Sequence, residues 1–147
     1  MSKSFTWETI VNSSCEKCYQ TISDPKKYQK IIPGAMKISK VTKTDIGWHW
    51  VMEGKAPMLE NMEIKIISET TVADPPTRYA FKTSTPLDGT LSVDYTFTKV
   101  DSNKTKIINK STITIPGMKG VLVEKMLASQ IEKQNPKIIE KISKIFK

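Results

Sequence analysis

Cys15 and Cys18 form a Cys-x-x-Cys pair, a spacing used by thiol–disulfide catalysts and by one half of many zinc sites. Four-coordinate zinc needs two further ligands, and His49 is the only imidazole in the chain. The two cysteines also fall three residues apart inside a predicted helix, so they share one face, and ordinary helix packing accounts for them. His49 alternates with Trp48 and Trp50 and therefore faces solvent when those rings face inward. The inner face then has no histidine and no carboxylate pair for general acid–base work. No Gly-rich phosphate loop and no Ser-His-Asp set occurs. These residues name no cofactor, no metal and no catalytic group.

What the inner face does hold is aromatic. Trp7, Trp48, Trp50, Tyr79, Phe81, Tyr95 and Phe97 occupy the apolar sides of predicted strands, with Met52, Met62, Ile64 and Val93 beside them. Leu122 and Met126 fall on the apolar stripe of a predicted C-terminal helix. Aromatic rings and flexible methionines line sites for flat or greasy ligands; the same residues also fill cores. Thr9, Thr83, Asn109 and Ser111 share that face. Asn109 and Ser111, two apart on the last strand, can orient a ligand hydroxyl or carbonyl, or bond neighbouring backbone; unpartnered and buried, each costs about 1–3 kcal/mol.

The elements that must position these residues follow from periodicity. Residues 4–11 alternate as a strand, with Phe5, Trp7, Thr9 and Val11 on one side. Ser13-x-x-Glu16 has the capping-box pattern and opens a helix over about 14–22, with Cys18, Tyr19 and Ile22 inward. Asp24-Pro25 starts a second short helix, about 25–31, which Pro33-Gly34 ends. From 36 to 115 the chain reads as strands joined mostly by short turns, which makes neighbours antiparallel. With the first strand the total is about seven, each with one apolar face. Residues 118–147 read as a long amphipathic helix with an early stripe of Met118, Val121, Leu122, Met126 and Leu127 and a late one of Ile138, Ile139, Ile142, Ile145 and Phe146. Pro136 is expected to kink or interrupt it. The helix is the only segment left to cover the dry face of the sheet.

A length of 147 residues fits one domain, 1–147, with enough chain to bury a core without disulfides. The N-terminal residues lack the apolar core of a signal peptide, and no apolar run is long enough to span a membrane, so a cytoplasmic location is expected. The net charge is +8, nearly all of it lysine, with Arg78 the lone arginine. Readers of bases and phosphates favour arginine's planar fork, and these lysines are dispersed among acids, which argues against nucleic acid as a partner. Lys137, Lys141, Lys144 and Lys147 lie opposite Ile138, Ile142 and Ile145, a pattern that permits a transient contact with anionic membrane.

The order strand, two short helices, six strands, long helix resembles the helix-grip α+β fold of the START-like (SRPBCC) superfamily. That group takes in pollen-allergen-like proteins, polyketide cyclases and aromatases, lipid-transfer domains and the subunit-G proteins associated with carbon monoxide dehydrogenase. Trp7 to Ser14 followed by Cys15-Glu16-Lys17-Cys18-Tyr19 looks like the family's strand-to-helix entry, and Ser23-Asp24-Pro25-Lys26-Lys27-Tyr28 like its Ser-Asp-Pro corner. Ile32-Pro33-Gly34-Ala35 is similar to the segment before strand two in subunit-G-like members. The resemblance implies a cavity between sheet and long helix that takes a small apolar or amphipathic ligand. Binding or transport is the reading it supports. A cyclase-like enzyme, with Tyr79 or Tyr95 moving protons, and an accessory factor of a larger oxidoreductase complex are the alternatives.

Overall fold

A computed structural model describes residues 2–32, 37–56, 62–85, 88–117 and 120–147, without the side chains of residues 56, 62, 64, 85 and 120–124. The elements run β1 (Ser2–Val11), α1 (Cys15–Ile22), α2 (Pro25–Tyr28), β2 (Lys37–Lys43), β3 (Trp48–Ala56), β4 (Met62–Asp74), β5 (Arg78–Thr85), β6 (Gly89–Asp101), β7 (Lys104–Thr114) and α3 (Gly120–Ile145). The strands form one seven-stranded sheet in the order β1-β7-β6-β5-β4-β3-β2. Every neighbouring pair is antiparallel. Irregularities in β2 between Ser39 and Thr42, in β4 between Thr70 and Val72, and in β6 between Lys99 and Asp101 insert extra residues on one strand. Such bulges bend and twist a sheet, and here they curve it.

The period of two explains which face is dry. On β6, Val93, Tyr95 and Phe97 are buried while the residues between them are not; on β7, Thr105, Ile107, Asn109, Ser111 and Ile113 are buried in the same rhythm. The core lies on this inner face. α1 approaches β5, β6 and β7; α2 approaches β2; α3 approaches β1 and β7. The last turn of α3 is tied to the end of β1 by the Asn12 N–H, which donates to the Phe146 carbonyl at 3.2 Å. Ile142 and Phe146 are buried in the same cluster as Trp7, Val11 and Ile107.

The expected elements are present, with four local corrections. The helix cap is Ser14, not Ser13: its hydroxyl accepts from the Lys17 N–H at 3.3 Å. Ser13 is buried instead, its carbonyl accepting the Thr105 hydroxyl at 2.7 Å. α2 is a single turn, although the Asp24 cap (2.9 Å to the Lys26 N–H) and Pro25 at its start are as expected. α3 runs through Pro136 without a break. Pro136 and Glu132 are both exposed, so water can take the carbonyl that a proline cannot serve. Finally, Met126 and Ile145 are 41% and 39% exposed rather than inward. The inward line of α3 passes through Ala128, Ile138, Ile139 and Ile142, and Met126, two residues before Ala128, is turned about 200° away at 3.6 residues per turn.

Candidate functional site

The rings of the inner face pack on one another. Trp50 meets Phe81 at 5.3 Å between centroids, Phe81 meets Tyr28 at 5.6 Å, Tyr28 meets Tyr95 at 6.1 Å, and Tyr95 meets Trp7 at 6.1 Å, all edge-on. Tyr19 of α1 reaches Tyr79 and Phe97 in the same way. The edge-on geometry sets the positive rim of one ring against the negative face of the next. Trp7, Trp50, Tyr79, Phe81, Val93, Tyr95 and Phe97 are thus brought together and buried. Trp48 and Met52 are half-buried against the cluster. The side chains of Met62, Ile64 and Leu122 lie outside the described residues.

Polar side chains are buried among these rings, and each has a traceable partner but one. The Tyr28 and Tyr95 hydroxyls are 2.8 Å apart, and Tyr95 also bonds Asn109. The Ser111 hydroxyl donates to Asn109 Oδ1 at 3.0 Å. Asn109 and Ser111 therefore serve each other and Tyr95. Thr70 Oγ1 lies 3.0 Å from the Tyr79 hydroxyl and accepts the Trp48 backbone N–H at 3.0 Å. Gly47 permits this arrangement: a Cβ there would come within 2.6 Å of Thr70 Cβ. Ser68 and Thr83 share a bond at 2.8 Å. The Trp50 indole N–H is buried and has no partner among the described residues.

Burial sets the acidity of the phenols. Desolvation pushes Tyr95 up to about 12, partly offset by its bonds from Tyr28 and Asn109, and pushes Tyr79 up to about 12, partly offset by Thr70. Tyr28 goes well above the ordinary tyrosine value, through burial and the neighbouring Tyr95. All three stay protonated at neutral pH and act as hydrogen-bonding groups rather than bases. Cys18 is fully buried and its thiol is raised to about 11 by burial, which keeps it protonated and unreactive. Cys15 Sγ is 3.4 Å from the Thr105 hydroxyl, and both thiols are free. Every buried polar side chain among the described residues is a serine, threonine or asparagine, apart from the tyrosines and tryptophans, and none carries charge.

Two depressions open elsewhere on the molecule. One of about 260 Å³ is lined by Arg78, Asp94, Lys110, Thr112 and Ser92. Arg78 there grips Asp94 through Nε and Nη2, the latter at 2.6 Å. The other, of about 440 Å³, lies between α2 and β2 and is lined by Lys26, Gln29, Ile38, Ser39, Lys40 and Val41. Ile38 and Val41 also pack against the core cluster beneath.

No protein-family model and no curated protein matches the sequence. Solved structures match the fold along its length. A conserved protein from Geobacillus kaustophilus superposes with a TM-score of 0.76 at 14% identity, covering 98% of this chain and 95% of its own. A START superfamily protein from Mycobacterium smegmatis gives 0.70 at 12% identity, covering 98% and 99%. This chain has the helix-grip fold of the START-like proteins. The aromatase/cyclase Zhui from Streptomyces sp. R1128 shares it as well, with a TM-score of 0.75 at 14% identity over 97% of this chain and 92% of that one. Among the described residues of this START-like fold, no helix is long and apolar enough to cross a membrane.

Ser68 was missed by reasoning from the sequence, and Thr83 was seen only as a polar residue on the inner face. Their signal was there: each alternates with exposed neighbours in step with the aromatic positions, yet carries a hydroxyl. Ser68 continues the alternation of Met62, Ile64 and Ile66, and only its hydroxyl kept it out of an apolar pattern.

Proposed function

We propose that this protein binds or carries a small apolar ligand between the inner face of its sheet and α3. The observation that carries the reading is the chemistry of that face: buried rings, methionine and neutral hydroxyls, with no buried carboxylate, imidazole or amine among the described residues. Such a surface stabilises an apolar body by removing its area from water, at about 25 cal/mol per Å². It offers no group poised to exchange protons near neutral pH. The START-like fold supports the reading, since solved structures that share it include proteins named as aromatase/cyclases.

The aromatase/cyclase neighbours favour a second reading, an enzyme that guides cyclisation of a reactive chain by shape alone. In that reading Tyr79 and Tyr95 hold position through Thr70 and Tyr28 and do not act as proton shuttles, given their raised pKa.

The test is native mass spectrometry of the protein purified gently from cells, followed by titration with naphthalene-based ligands. One bound small molecule per chain, or saturable one-to-one binding of the added ligand, is expected. A bare chain that takes up no apolar ligand at its solubility limit contradicts the reading. Turnover of a poly-β-ketone above the uncatalysed rate would establish the second reading in its place.

A further inference from the structure

Trp50, Ser68 and Thr83 stand side by side on three adjacent strands. The register pairs Trp50 of β3 with Ser68 of β4, and Ser68 with Thr83 of β5. Directly opposed residues share a face, with Cβ atoms about 5 Å apart. All three are almost fully buried, at 2%, 1% and 4% exposure.

One donor of this row has no partner among the described residues, and one hydroxyl proton beside it is uncommitted. The indole N–H can only donate, and it donates to nothing among the described residues. Ser68 and Thr83 make one bond between two hydroxyls, so one of their two O–H protons is not used in it. In the Tyr28–Tyr95–Asn109–Ser111 chain, by contrast, each polar side chain has a partner: the Tyr95 oxygen takes bonds from Tyr28 and Asn109, and Ser111 donates to Asn109 Oδ1. A buried donor left unpaired costs the full desolvation of the group, and proteins retain such groups where something else completes them.

We propose that Trp50 Nε1 and the Ser68–Thr83 hydroxyl pair form a carbonyl-reading subsite, and that the ligand carries a neutral carbonyl oxygen on an otherwise apolar body. The proposal rests on the ligand-binding reading above. A carbonyl oxygen has two lone pairs, enough to accept the indole N–H and the uncommitted hydroxyl proton together. Neutrality follows from the absence of any buried cation among the described residues, because a carboxylate taken into this site would have no countercharge. The rings around the row supply the apolar part: Phe81 lies against Trp50, and Met52 and Trp48 flank Trp50 on its own strand. A surface depression adjoins the same strands. The irregular stretch of β2 between Ser39 and Thr42 sets Lys40 and Val41 opposite Trp50, and both line the α2–β2 depression.

The test compares acetylnaphthalene with ethylnaphthalene, which have nearly the same shape and differ in the carbonyl. Affinities are measured by titration for the wild type, for Trp50→Phe, and for the double variant Ser68→Ala/Thr83→Val, which removes both hydroxyls and leaves neither stranded. The wild-type preference for the ketone over the ethyl compound is expected to fall about tenfold in Trp50→Phe and several-fold in the double variant. In the wild type, the Trp50 indole proton resonance, assigned by its loss in Trp50→Phe, moves downfield with the ketone and stays with the ethyl compound. Equal preference in all three proteins with an unmoved indole resonance overturns the subsite while leaving ligand binding intact. Failure of both compounds to bind the wild type overturns the ligand-binding reading itself. The double variant and the wild-type resonance serve as readouts even where Trp50→Phe folds poorly.

Discussion

Two parts of one sheet face handle buried polarity in opposite ways. Across β5, β6 and β7 and the helices over them the polar atoms close on each other, Tyr28 with Tyr95, Tyr95 with Asn109 and Asn109 with Ser111, and Tyr79 of β5 is met by Thr70 at the far end of β4. Rings from α1 and α2 cover that part, and Ile142 and Phe146 of α3 join its apolar cluster. Across β3, β4 and the near half of β5 the row Trp50–Ser68–Thr83 keeps donors unmatched. The first part is finished by the chain itself. The second is as apolar in its surroundings but leaves the Trp50 indole N–H without a partner among the described residues. The difference teaches that the inner face is one surface by periodicity and two by hydrogen bonding, one half closed on itself and the other, on the proposed reading, the half that meets the ligand.

The comparison is broken most severely by removing the ring that joins the halves. Phe81 touches Trp50, Tyr28 and Tyr79. Phe81→Ala is expected to lower stability by about 3–5 kcal/mol in urea unfolding, the usual result of emptying a packed aromatic site. A loss below about 1 kcal/mol would mean the rings are not packed as described.

Next comes alkaline pH, which probes the finished half. Tyr95 and Tyr79 have folded pKa values of about 12, above the ordinary value of 10.0, so the folded state holds these protons after the unfolded state has released them. Their contribution is whole below pH 10 and is lost as pH rises from about 10 to about 12. For Tyr95 alone the shift corresponds to about 2–3 kcal/mol. Tyr95→Phe should flatten the loss of stability across that window, measured by denaturant unfolding at successive pH values. It should also cost about 1–3 kcal/mol at pH 7, because the Tyr28 hydroxyl loses its partner.

Gly47→Ala tests the seam between the halves, where the β2–β3 turn sits on Thr70. A Cβ would strike Thr70, whose oxygen is pinned by the Trp48 N–H and Tyr79. Thermal unfolding should register a loss of about 1–3 kcal/mol. The smallest effect is expected at the unfinished row. Trp50→Phe in the ligand-free protein should change stability by under about 1 kcal/mol, since the unmatched N–H leaves along with the lost ring area. A loss as large as that of Phe81→Ala would show that the indole N–H is already satisfied.

Much of this fold is legible along the chain. The alternation of Leu91, Val93, Tyr95 and Phe97 marks both a strand and its inward side, because burial on one face repeats every two residues. Asp24-Pro25 marks a helix start, because a carboxylate before a proline satisfies free N–H groups at no cost in bonds. The motifs that suggested a START-like chain prove to be local devices of this kind, caps and corners. They identify the fold and leave its occupants open. The phase of α3 was misjudged at Met126 and Ile145, because several apolar stripes can be drawn on a helix and only the partner surface chooses one. The unmatched donors could not be read in advance. Whether an indole N–H finds a partner depends on which side chains cross-strand register sets beside it, and the pattern of β3 alone does not say that Ser68 stands opposite Trp50. Alternation alone gave Asn109 and Ser111 the same promise as Thr83, and their mutual bonding appears only in three dimensions.

The central claim, that the β3–β5 half of the inner face is a binding surface, is tested most directly by nuclear Overhauser contacts in the wild-type protein saturated with acetylnaphthalene. Contacts from the naphthalene protons to the Trp50 indole and the Met52 methyl group are predicted. Contacts confined to Arg78 and Lys110 in the other depression, or none to any residue of β3, would contradict it.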